Sequence, residues 1–247
     1  SRGFVFPTLG TFAGDVRIDA EGNFVQVEPE ENEEFLQAEG GVKFSSSQFS
    51  FGLSGFWVQI NDRLQTDIRI IDGQSLQVTD AVGESRTFGL EATGAYAPHE
   101  IPGLRLESSL TLQDHEATDF VIGDQDLSGN DIKRIPEFML NSSLFYERHR
   151  VEVMLNWLLI GDRFADDANL FELDQFGVVT LDAGYNVVFP GGQSVRLGIN
   201  IYNLLDSEGL TEGDPRLATG VDPTEFPFLN ARPILPQRVK LSATYNF

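Results

Sequence analysis

Cysteine is absent from the 247-residue sequence. Its absence excludes disulfide bonds, thiol catalysis, iron–sulfur clusters and Cys-based zinc sites. Basic residues are also few, because 17 Lys and Arg stand against 38 Asp and Glu and give a formal net charge of −21. Since a protein binds a polyanion through Lys and Arg, we expect no nucleic-acid partner.

A long apolar run is missing as well. The longest stretch without a charge, residues 44–61, is interrupted by Ser, Gln and Gly, whereas a transmembrane helix needs about 20 mostly apolar residues. The sequence begins at Ser1 without a basic and apolar leader, so we expect any signal peptide to have been removed or to lie upstream. With 41% hydrophobic residues and 20 Phe, the chain has enough apolar material to bury a sizeable surface.

What is present is an alternation of apolar and polar residues with a period of two, which is typical of strands. From residue 104 the even positions are Leu104, Leu106, Ser108, Leu110 and Leu112, and the odd positions are polar. The pattern predicts about nine strands, near 35–46, 48–62, 85–97, 104–113, 137–147, 149–162, 179–189, 195–201 and 239–247. Within 48–62 the apolar residues change face, which indicates a bulge or a misplaced boundary.

The connections between these segments alternate in length. Short ones are expected at 45–48, 97–103, 147–149 and 190–193, and long polar ones at 63–84, 117–135, 163–175 and 206–235. All short turns then lie at one end of an antiparallel sheet and all long loops at the other. Transmembrane β-barrels of the outer-membrane type have this asymmetry.

The distribution of charge agrees with such a barrel. Nine charged residues of the predicted strands fall on the polar face: Glu39, Lys43, Glu91, Arg105, Glu107, Glu152, Asp182, Arg196 and Lys240. A lipid-facing surface should be free of charge, and strands of about 10 residues suit a membrane better than a soluble sheet. The core of a soluble sandwich excludes charge too, so this alternative stays open. Aromatic residues near strand ends fit an interfacial girdle or a soluble core: Tyr185, Phe189, Tyr245 and Phe247.

Two C-terminal segments resemble TonB-dependent receptors. Residues 200–206, Asn-Ile-Tyr-Asn-Leu-Leu-Asp, and the loop that follows are similar to the penultimate strand and last long loop of that family, and residues 235–247 are similar to its closing strand. Weaker similarities are residues 126–130 leading to Pro136, and residues 171–173 leading into 179–185. The residues that carry the main resemblance are Asn203, Leu204, Asp206, Gly209, Glu212, Gly213, Pro215, Arg216, Tyr245 and Phe247.

The resemblance implies an all-β, antiparallel transmembrane barrel, of which this chain is the C-terminal portion, about nine to ten strands of about 22. Residues 1–247 would be a partial barrel domain without the plug domain. The implied function is TonB-dependent uptake of a scarce solute, such as a ferric siderophore, cobalamin or an oligosaccharide, across the outer membrane of a Gram-negative bacterium. Neither catalysis nor a cofactor is implied.

The resemblance also implies partners. These are outer-membrane lipid and lipopolysaccharide, a small solute ligand, the receptor's own plug domain, TonB, and the barrel assembly machinery, for which Phe247 is similar to the recognition signal. Specificity would lie in the long loops and the lumen. Six charged residues are candidates to face that lumen, either contacting the plug or lining a hydrated pore: Arg105, Glu107, Glu152, Asp182, Arg196 and Lys240.

Metal and catalytic motifs are weak. Residues 124–131 fill several positions of a calcium loop, but the twelfth position is Ile135 instead of the bidentate Glu, so an acidic turn is expected. His99 and His149 fall in predicted short turns while His115 lies near the other end of its strand, so they should not converge on zinc. Two acidic groups are expected to be solvated, or else to hold divalent cations that bridge lipopolysaccharide or to contact a cationic ligand: Asp166 with Asp167, and the run Glu28, Glu30, Glu31, Glu33 and Glu34. We expect no metal site and no catalytic residue.

Two other functions remain possible at this point. One is a complete small outer-membrane barrel acting as an enzyme or adhesin, for which only His115 lies near the loop end. The other is a soluble, acidic, carbohydrate-binding β-sandwich, which should purify without detergent.

Overall fold

A computed structural model describes residues 2–5, 16–18, 24–26, 33–62, 64–71, 74–81, 83–122, 125–215 and 229–247. Every regular element in these ranges is a β-strand. No helix long and apolar enough to cross a membrane occurs in the described residues.

The described residues contain nineteen strands. In chain order they are β1 (Arg2–Val5), β2 (Val16–Ile18), β3 (Phe24–Gln26), β4 (Glu33–Ser45), β5 (Phe49–Asn61), β6 (Leu64–Ile71), β7 (Gln74–Ala81), β8 (Gly83–Tyr96), β9 (Leu104–Ile122), β10 (Gln125–Asp126), β11 (Phe138–Arg148), β12 (Val151–Ile160), β13 (Arg163–Phe164), β14 (Glu172–Leu173), β15 (Phe176–Val188), β16 (Ser194–Tyr202), β17 (Leu210–Pro215), β18 (Leu229–Pro233) and β19 (Arg238–Asn246).

One sheet contains most of the long strands. Its order is β1-β4-β5-β8-β9-β11-β12-β15-β16-β19, with β10 paired to β9. Apart from the strands that it skips, strands that are consecutive along the chain are therefore neighbours in this sheet. The pairs β1-β4, β9-β11, β11-β12, β12-β15, β15-β16 and β16-β19 are antiparallel. The skipped strands form separate two-stranded hairpins, β2-β3, β6-β7, β13-β14 and β17-β18.

The nine predicted strands are confirmed as β4, β5, β8, β9, β11, β12, β15, β16 and β19. The alternation of connections is confirmed too. Two residues separate β11 from β12 and five separate β15 from β16, whereas residues 161–175 and 203–237 separate β12 from β15 and β16 from β19. Antiparallel order therefore places the short turns at one end of the strands and the long connections at the other.

Three predicted loops contain more structure than the sequence indicated. Strand β9 continues to Ile122, so the loop expected at 117–135 begins only after this residue. The last residues of β9, Val121 and Ile122, pair with β10. Connections 63–84 and 206–235 contain the hairpins β6-β7 and β17-β18. Long polar connections thus satisfy their own backbone hydrogen bonds by pairing with themselves, which needs no apolar face.

Pairing across six strands separates the two faces of the sheet. One row, which runs from β9 to β19 through directly paired residues, is entirely apolar: Leu106, Leu144, Leu155, Leu181, Ile201 and Val239. The adjacent row, which points to the opposite face, is mixed: Arg105, Phe145, Met154, Asp182, Asn200 and Lys240. We call these the apolar face and the charged face.

The apolar face is exposed. Trp157 is 44% exposed, Leu197 49% and Leu241 76%, and each points to the same side as the apolar row. A soluble sandwich would bury these side chains under a second sheet. Their exposure therefore argues against the sandwich, and it matches a surface that contacts lipid.

The chain forms two compact units, each with a small core. The first comprises Ser1–Glu39, Phe56–Phe88 and Asp114–Ile132, and its described buried cluster is Ala117 and Phe120 with Leu127. The second comprises Gly40–Gly55, Gly89–Gln113 and Lys133–Phe247, and its described buried cluster is Phe176, Val178 and Ile234 with Ile160 and Tyr202.

Candidate functional site

The charged face carries an ion pair that crosses a strand. Arg196 on β16 donates through Nε and Nη2 to Oε2 of Glu152 on β12, each at 2.9 Å. Asn186 Nδ2 donates to the other carboxylate oxygen at 2.8 Å. The intervening residue on β15 is Gly184, where an added Cβ would lie 2.8 Å from Nη2 of Arg196. Because this position has no side chain, the guanidinium can occupy the space above Gly184.

The other four candidate residues lie on the same face. Asp182 accepts a hydrogen bond from Asn200 Nδ2 at 2.6 Å, and Lys240 follows Asn200 in the same row. Arg105 lies 3.3 Å from Glu107. The guanidinium of Arg105 also stacks 4.5 Å above the Phe145 ring. Several of these groups line a depression of about 770 Å³: Arg105, Glu152, Asp182 and Arg196.

A second depression on this face, of about 310 Å³, is mainly uncharged and polar. Its lining includes Ser50, Thr93, Glu107, Ser109, Asn141 and Ser143. Nearby, Asn156 donates to Asn141 Oδ1 at 2.6 Å and to Ser143 Oγ at 2.9 Å. The wall therefore offers hydroxyl and amide groups next to the charged pairs.

The motif residues after β16 form a clasp at the base of the long connection 203–237. Asn203 is completely buried and has a positive φ of 52°. Its Nδ2 donates to the carbonyls of Ser207 at 2.9 Å and Leu235 at 3.1 Å, and its Oδ1 accepts from Ser207 N. Asp206 Oδ1 accepts from the backbone of Gln237, whose side chain donates to the carbonyl of Leu204. The motif thus joins the two ends of the connection just before β19 begins.

The other described motif residues of this connection lie in or beside the β17-β18 hairpin. An added Cβ at Gly209 would lie 2.8 Å from Phe176 Cβ and 2.9 Å from Ile234 Cδ1, so only glycine fits. Glu212 forms an exposed ion pair with Arg232 at 3.0 Å. Gly213 is buried opposite Ala231, and Pro215 ends β17. Arg216 lies outside the described residues.

Arg163 attaches the 161–175 connection to the β17-β18 hairpin. It is only 7% exposed, and its Nη2 donates to the carbonyls of Leu210 at 2.8 Å and Thr211 at 2.9 Å. The guanidinium also lies 5.3 Å from the Phe176 ring centre. Burial lowers the pKa of Arg163, and the neighbouring charge of Asp162 opposes this shift. Backbone carbonyls therefore satisfy this buried cation.

The 161–175 connection is also attached to residues 133–134. Arg134 N donates to the carbonyl of Phe164 at 2.7 Å, and Lys133 forms an ion pair with Asp167. Asp166 is used within the connection, because its carboxylate accepts from the backbone N–H groups of Leu170 and Phe171. Consecutive long connections thus hold one another at the same end of the sheet.

The residues weighed above as metal ligands do not converge. In the described part of the chain, no group of three His, Asp or Glu side chains could hold a metal ion. Hydrogen bonds from the Ser128 side chain and from its backbone N–H, whose nitrogen is 3.0 Å from Asp126 Oδ1, lower the pKa of Asp126. Asp124, Glu28, Glu30 and Glu31 lie outside the described residues. His115 is buried and its Nδ1 accepts from Ile132 N at 3.1 Å. His99 and His149 lie in exposed short turns.

The terminal aromatic residues of the motif lie at the end of the sheet with the short turns. Tyr245 and Phe247 are edge-to-face, with ring centres 5.0 Å apart, and Phe247 is fully exposed. Tyr185 and Phe189, also on the apolar side, are 46% and 44% exposed. These positions fit an aromatic girdle at a membrane interface and not a soluble core.

Sequence reasoning missed Arg163, Gly184 and Asn186. Each acts on a partner that is distant along the chain, so no local pattern marks it. The nearest sequence signals were the isolated arginine among acidic residues at 161–175 and the glycines at polar-face positions of two neighbouring strands.

Together these features define the class of the protein. Strands of 9 to 11 residues, β11, β12, β16 and β19, match the length that crosses a membrane at a tilt. An exposed apolar face, a charged opposite face and connections of unequal length at the two ends are the features of a transmembrane β-barrel wall.

The family profile described as TonB dependent receptor-like, beta-barrel matches residues 1–204. The chain belongs to this family of outer-membrane receptors and transporters of Gram-negative bacteria. No curated protein matches the chain.

Solved structures with the same fold are receptors and transporters. The ferric yersiniabactin uptake receptor FyuA from Yersinia pestis is 14% identical with a TM-score of 0.71, and the match covers 100% of this chain and 34% of that one. The copper transporter OprC is 17% identical with a TM-score of 0.67 and coverages of 96% and 36%. The ferric preacinetobactin receptor BauA from Acinetobacter baumannii is 19% identical with a TM-score of 0.58 and coverages of 95% and 32%. The chain thus spans about a third of the length of these proteins.

Proposed function

We propose that the chain is the C-terminal part of the barrel of a TonB-dependent receptor that takes up a scarce solute across the outer membrane. The observation that carries this proposal is the exposed apolar face opposite a charged face, on strands whose long connections all lie at one end. Such a wall encloses a polar lumen when the sheet closes. In this arrangement the short turns are periplasmic and the long connections are extracellular.

The edge of the sheet supports a larger barrel, which we take to have the family's roughly 22 strands. Every residue of β19 is exposed, and among the described residues β19 pairs only with β16. An unpaired strand edge in lipid leaves backbone N–H and C=O groups unsatisfied, at a cost of several kcal/mol each. Strands supplied by the rest of a longer receptor would pair with this edge.

The charged face is proposed to be the lumen wall, where it contacts the plug domain. The Arg196–Glu152 pair and the Asp182–Asn200 pair leave hydrogen-bonding capacity directed away from the sheet, since a carboxylate accepts about four hydrogen bonds and a guanidinium donates five. Side chains of a plug could bind to these groups and be released without disrupting the sheet. TonB would act on that plug.

The ligand is proposed to bind first to the interlocked long connections. Arg163 and the Lys133–Asp167 pair hold these connections together, so they form a preorganised surface, which reduces the entropy lost on binding. The solute class remains a ferric siderophore, cobalamin or oligosaccharide. Support for a ferric ligand comes from FyuA and BauA, whose names specify ferric yersiniabactin and ferric preacinetobactin, although OprC is a copper transporter.

Other partners follow from the membrane position. Phospholipid would cover the apolar face on the periplasmic side and lipopolysaccharide would cover it on the outer side. Phe247 would provide the signal for the barrel assembly machinery. No catalytic or cofactor role is proposed.

The first experiment is the intact mass of the native protein that carries this C-terminus, taken from an outer-membrane extract. We expect a mass far above the 27.4 kDa of this chain, because a plug and the first strands should precede it. A mass near 27.4 kDa in the same fraction would indicate a small closed barrel and would overturn the transport proposal. Recovery of the protein from the soluble fraction without detergent would overturn the membrane placement.

A further inference from the structure

The β11–β12 turn is basic in a strongly acidic chain. Arg148 pairs with Val151, so His149 and Arg150 form a two-residue turn, and all three polar side chains are exposed. In the part of the chain that the structure describes, no carboxylate forms an ion pair with Arg148 or Arg150. The flanking Glu147 and Glu152 pair with each other in register and belong to the charged face, whereas Arg148 belongs to the apolar side. Two arginines that form no ion pair among the described residues, on a turn with these carboxylates directed to the other face, present a surface that attracts an anion.

Arg148 lies at the border of the apolar face. It follows Leu144 and Tyr146 at intervals of two along β11, so it points to the same side of the sheet as these residues. The turn lies at the end with the short connections. Long basic side chains at such a border extend their charged group to the lipid headgroups while their aliphatic part stays against apolar surface.

Two apolar grooves lie on the apolar face at the β11–β12 hairpin, one over β9, β11 and β12 and the other over β12, β15 and β16. The first, which we call the Ser142 groove, has a volume of about 430 Å³ and is lined by Tyr96, Leu106, Ser108, Ser142, Leu144 and Trp157. Its two serine hydroxyls are 2.7 Å apart and hydrogen-bond to each other, which reduces the cost of placing them in an apolar groove. The second, the Ala183 groove, has a volume of about 350 Å³ and is lined by Val151, Val153, Ala183, Tyr185, Leu197 and Ile199.

We propose that these three features bind one anionic phospholipid of the periplasmic leaflet. Its phosphate contacts Arg148 and Arg150, and one acyl chain occupies each groove. Charge complementarity selects the headgroup, and both grooves are continuous with the surface that contacts lipid. Ser142 lies six residues from Arg148, or about 20 Å along the strand, which an acyl chain can span. The inference rests on the membrane placement proposed above.

The test is a titration of the full-length receptor, stripped of lipid in a mild detergent, with phosphatidylglycerol, and bound lipids are counted by native mass spectrometry. We expect one molecule to bind more tightly than the rest and more tightly than phosphatidylethanolamine, which has no net charge. For R148Q/R150Q we expect the affinity to fall ~30-fold, since each basic residue near an anionic surface contributes about as much as a fivefold change in affinity. R148K/R150K should retain most of the binding.

A matched control removes the same charge at the other end of the sheet. R232Q/R238Q changes one arginine of the β17-β18 hairpin and the first residue of β19, and it should leave phosphatidylglycerol binding unchanged. An equal loss in both double variants would show a general charge effect and overturn the site. Unchanged binding in R148Q/R150Q would overturn it as well.

The grooves are tested without altering charge. Ser142→Leu and Ala183→Leu should each weaken phosphatidylglycerol binding about tenfold by filling one groove, while Gly55→Ala, on β5, should not. Full affinity in both leucine variants would overturn the placement of the acyl chains. Lipid counting does not depend on transport, so a receptor that binds the lipid but fails to import a solute contradicts the proposed function alone.

Discussion

The guanidinium of Arg196 reaches Glu152 across an intervening strand, with Nε 2.9 Å from Oε2. Adjacent strands lie about 4.8 Å apart, so the Arg196 side chain must pass over β15 to reach a residue on β12. Gly184 leaves room for this crossing. Replacing it with Ala should push the guanidinium away from the carboxylate and destabilise the barrel by about 1–3 kcal/mol, the usual cost of overpacking.

The measurement for G184A is the unfolding midpoint of the receptor in detergent and urea. Gly55→Ala is the control, because an added Cβ there would meet Leu90 Cδ2 at an ordinary 3.5 Å. Glu152→Gln should give a loss similar to that of G184A, and the double variant should be little worse than either single one. Additive losses would show that the glycine does not act through the ion pair.

Asn203 is expected to be the least replaceable residue of the clasp. Asn203→Ala removes two donated bonds and one accepted bond from a fully buried site, and leaves the carbonyls of Ser207 and Leu235 without this donor. We expect a loss of about 2–4 kcal/mol, since unsatisfied buried groups cost roughly 1–3 kcal/mol each. Asn203→Gly separates the backbone from the side chain, because glycine adopts the positive φ freely but makes none of the hydrogen bonds.

Limited trypsin digestion reports on this clasp. Cleavage within 207–236 should be faster in N203A and N203G than in the native receptor, at a temperature where the barrel stays folded. Asn169→Ala is the control, since Asn169 also has a positive φ but lies in another connection and is partly exposed. Unchanged cleavage in N203G would mean that the backbone conformation alone fixes the connection.

Arg163→Lys should loosen the β17-β18 hairpin although the charge is kept. The planar guanidinium donates to two neighbouring carbonyls at once and packs on the Phe176 ring, whereas an ammonium group cannot reproduce this geometry. We expect about 1–3 kcal/mol less protection against amide hydrogen exchange at residues 210–213. Arg232→Lys, at an exposed ion pair, should change protection by no more than a few tenths of a kcal/mol.

The turn at Asp126 should depend on pH. Hydrogen bonds from the Ser128 side chain and backbone hold the pKa of Asp126 below its ordinary value of 3.8. Because the folded pKa is the lower one, the turn is fully stabilised above pH 3.8 and loses this contribution as the pH falls through the folded value. Amide exchange at Ser128 and Gly129 measured below pH 5 checks this. Asp126→Asn retains an acceptor and should abolish the dependence, and an unchanged profile in this variant would contradict it.

The strands and their faces could be predicted because both depend on local alternation. Leu106 and Leu144 each belong to a segment in which apolar residues recur at every second position, which predicts the face that they share. The register of β9 against β11 then pairs them directly. Sequence reasoning missed the hairpin β6-β7 within 63–84, although Asp72-Gly73 between alternating segments is typical of a two-residue turn.

The contacts of Arg163 and Arg196 could not be predicted in the same way. Arg163 binds carbonyls 47 and 48 residues away, and Glu152 lies 44 residues from Arg196. Such pairs depend on which connections fold back and on the register of strands between them. A single sequence gives neither, although it shows that the charged residues share a face.

The unequal ends of the sheet give the final prediction. Replacing residues 210–233 by a short Gly-Ser link removes the β17-β18 hairpin, to which Arg163 is attached, while the clasp from Asn203 to Leu235 remains. We expect the full receptor to assemble but to lose most of its binding of a siderophore that supports growth of the native strain. Changing the turn at 190–193 should leave binding intact, because this turn lies at the opposite end of the strands. Equal losses in the two variants, at equal amounts in the outer membrane, would contradict the assignment of the long connections to the ligand side.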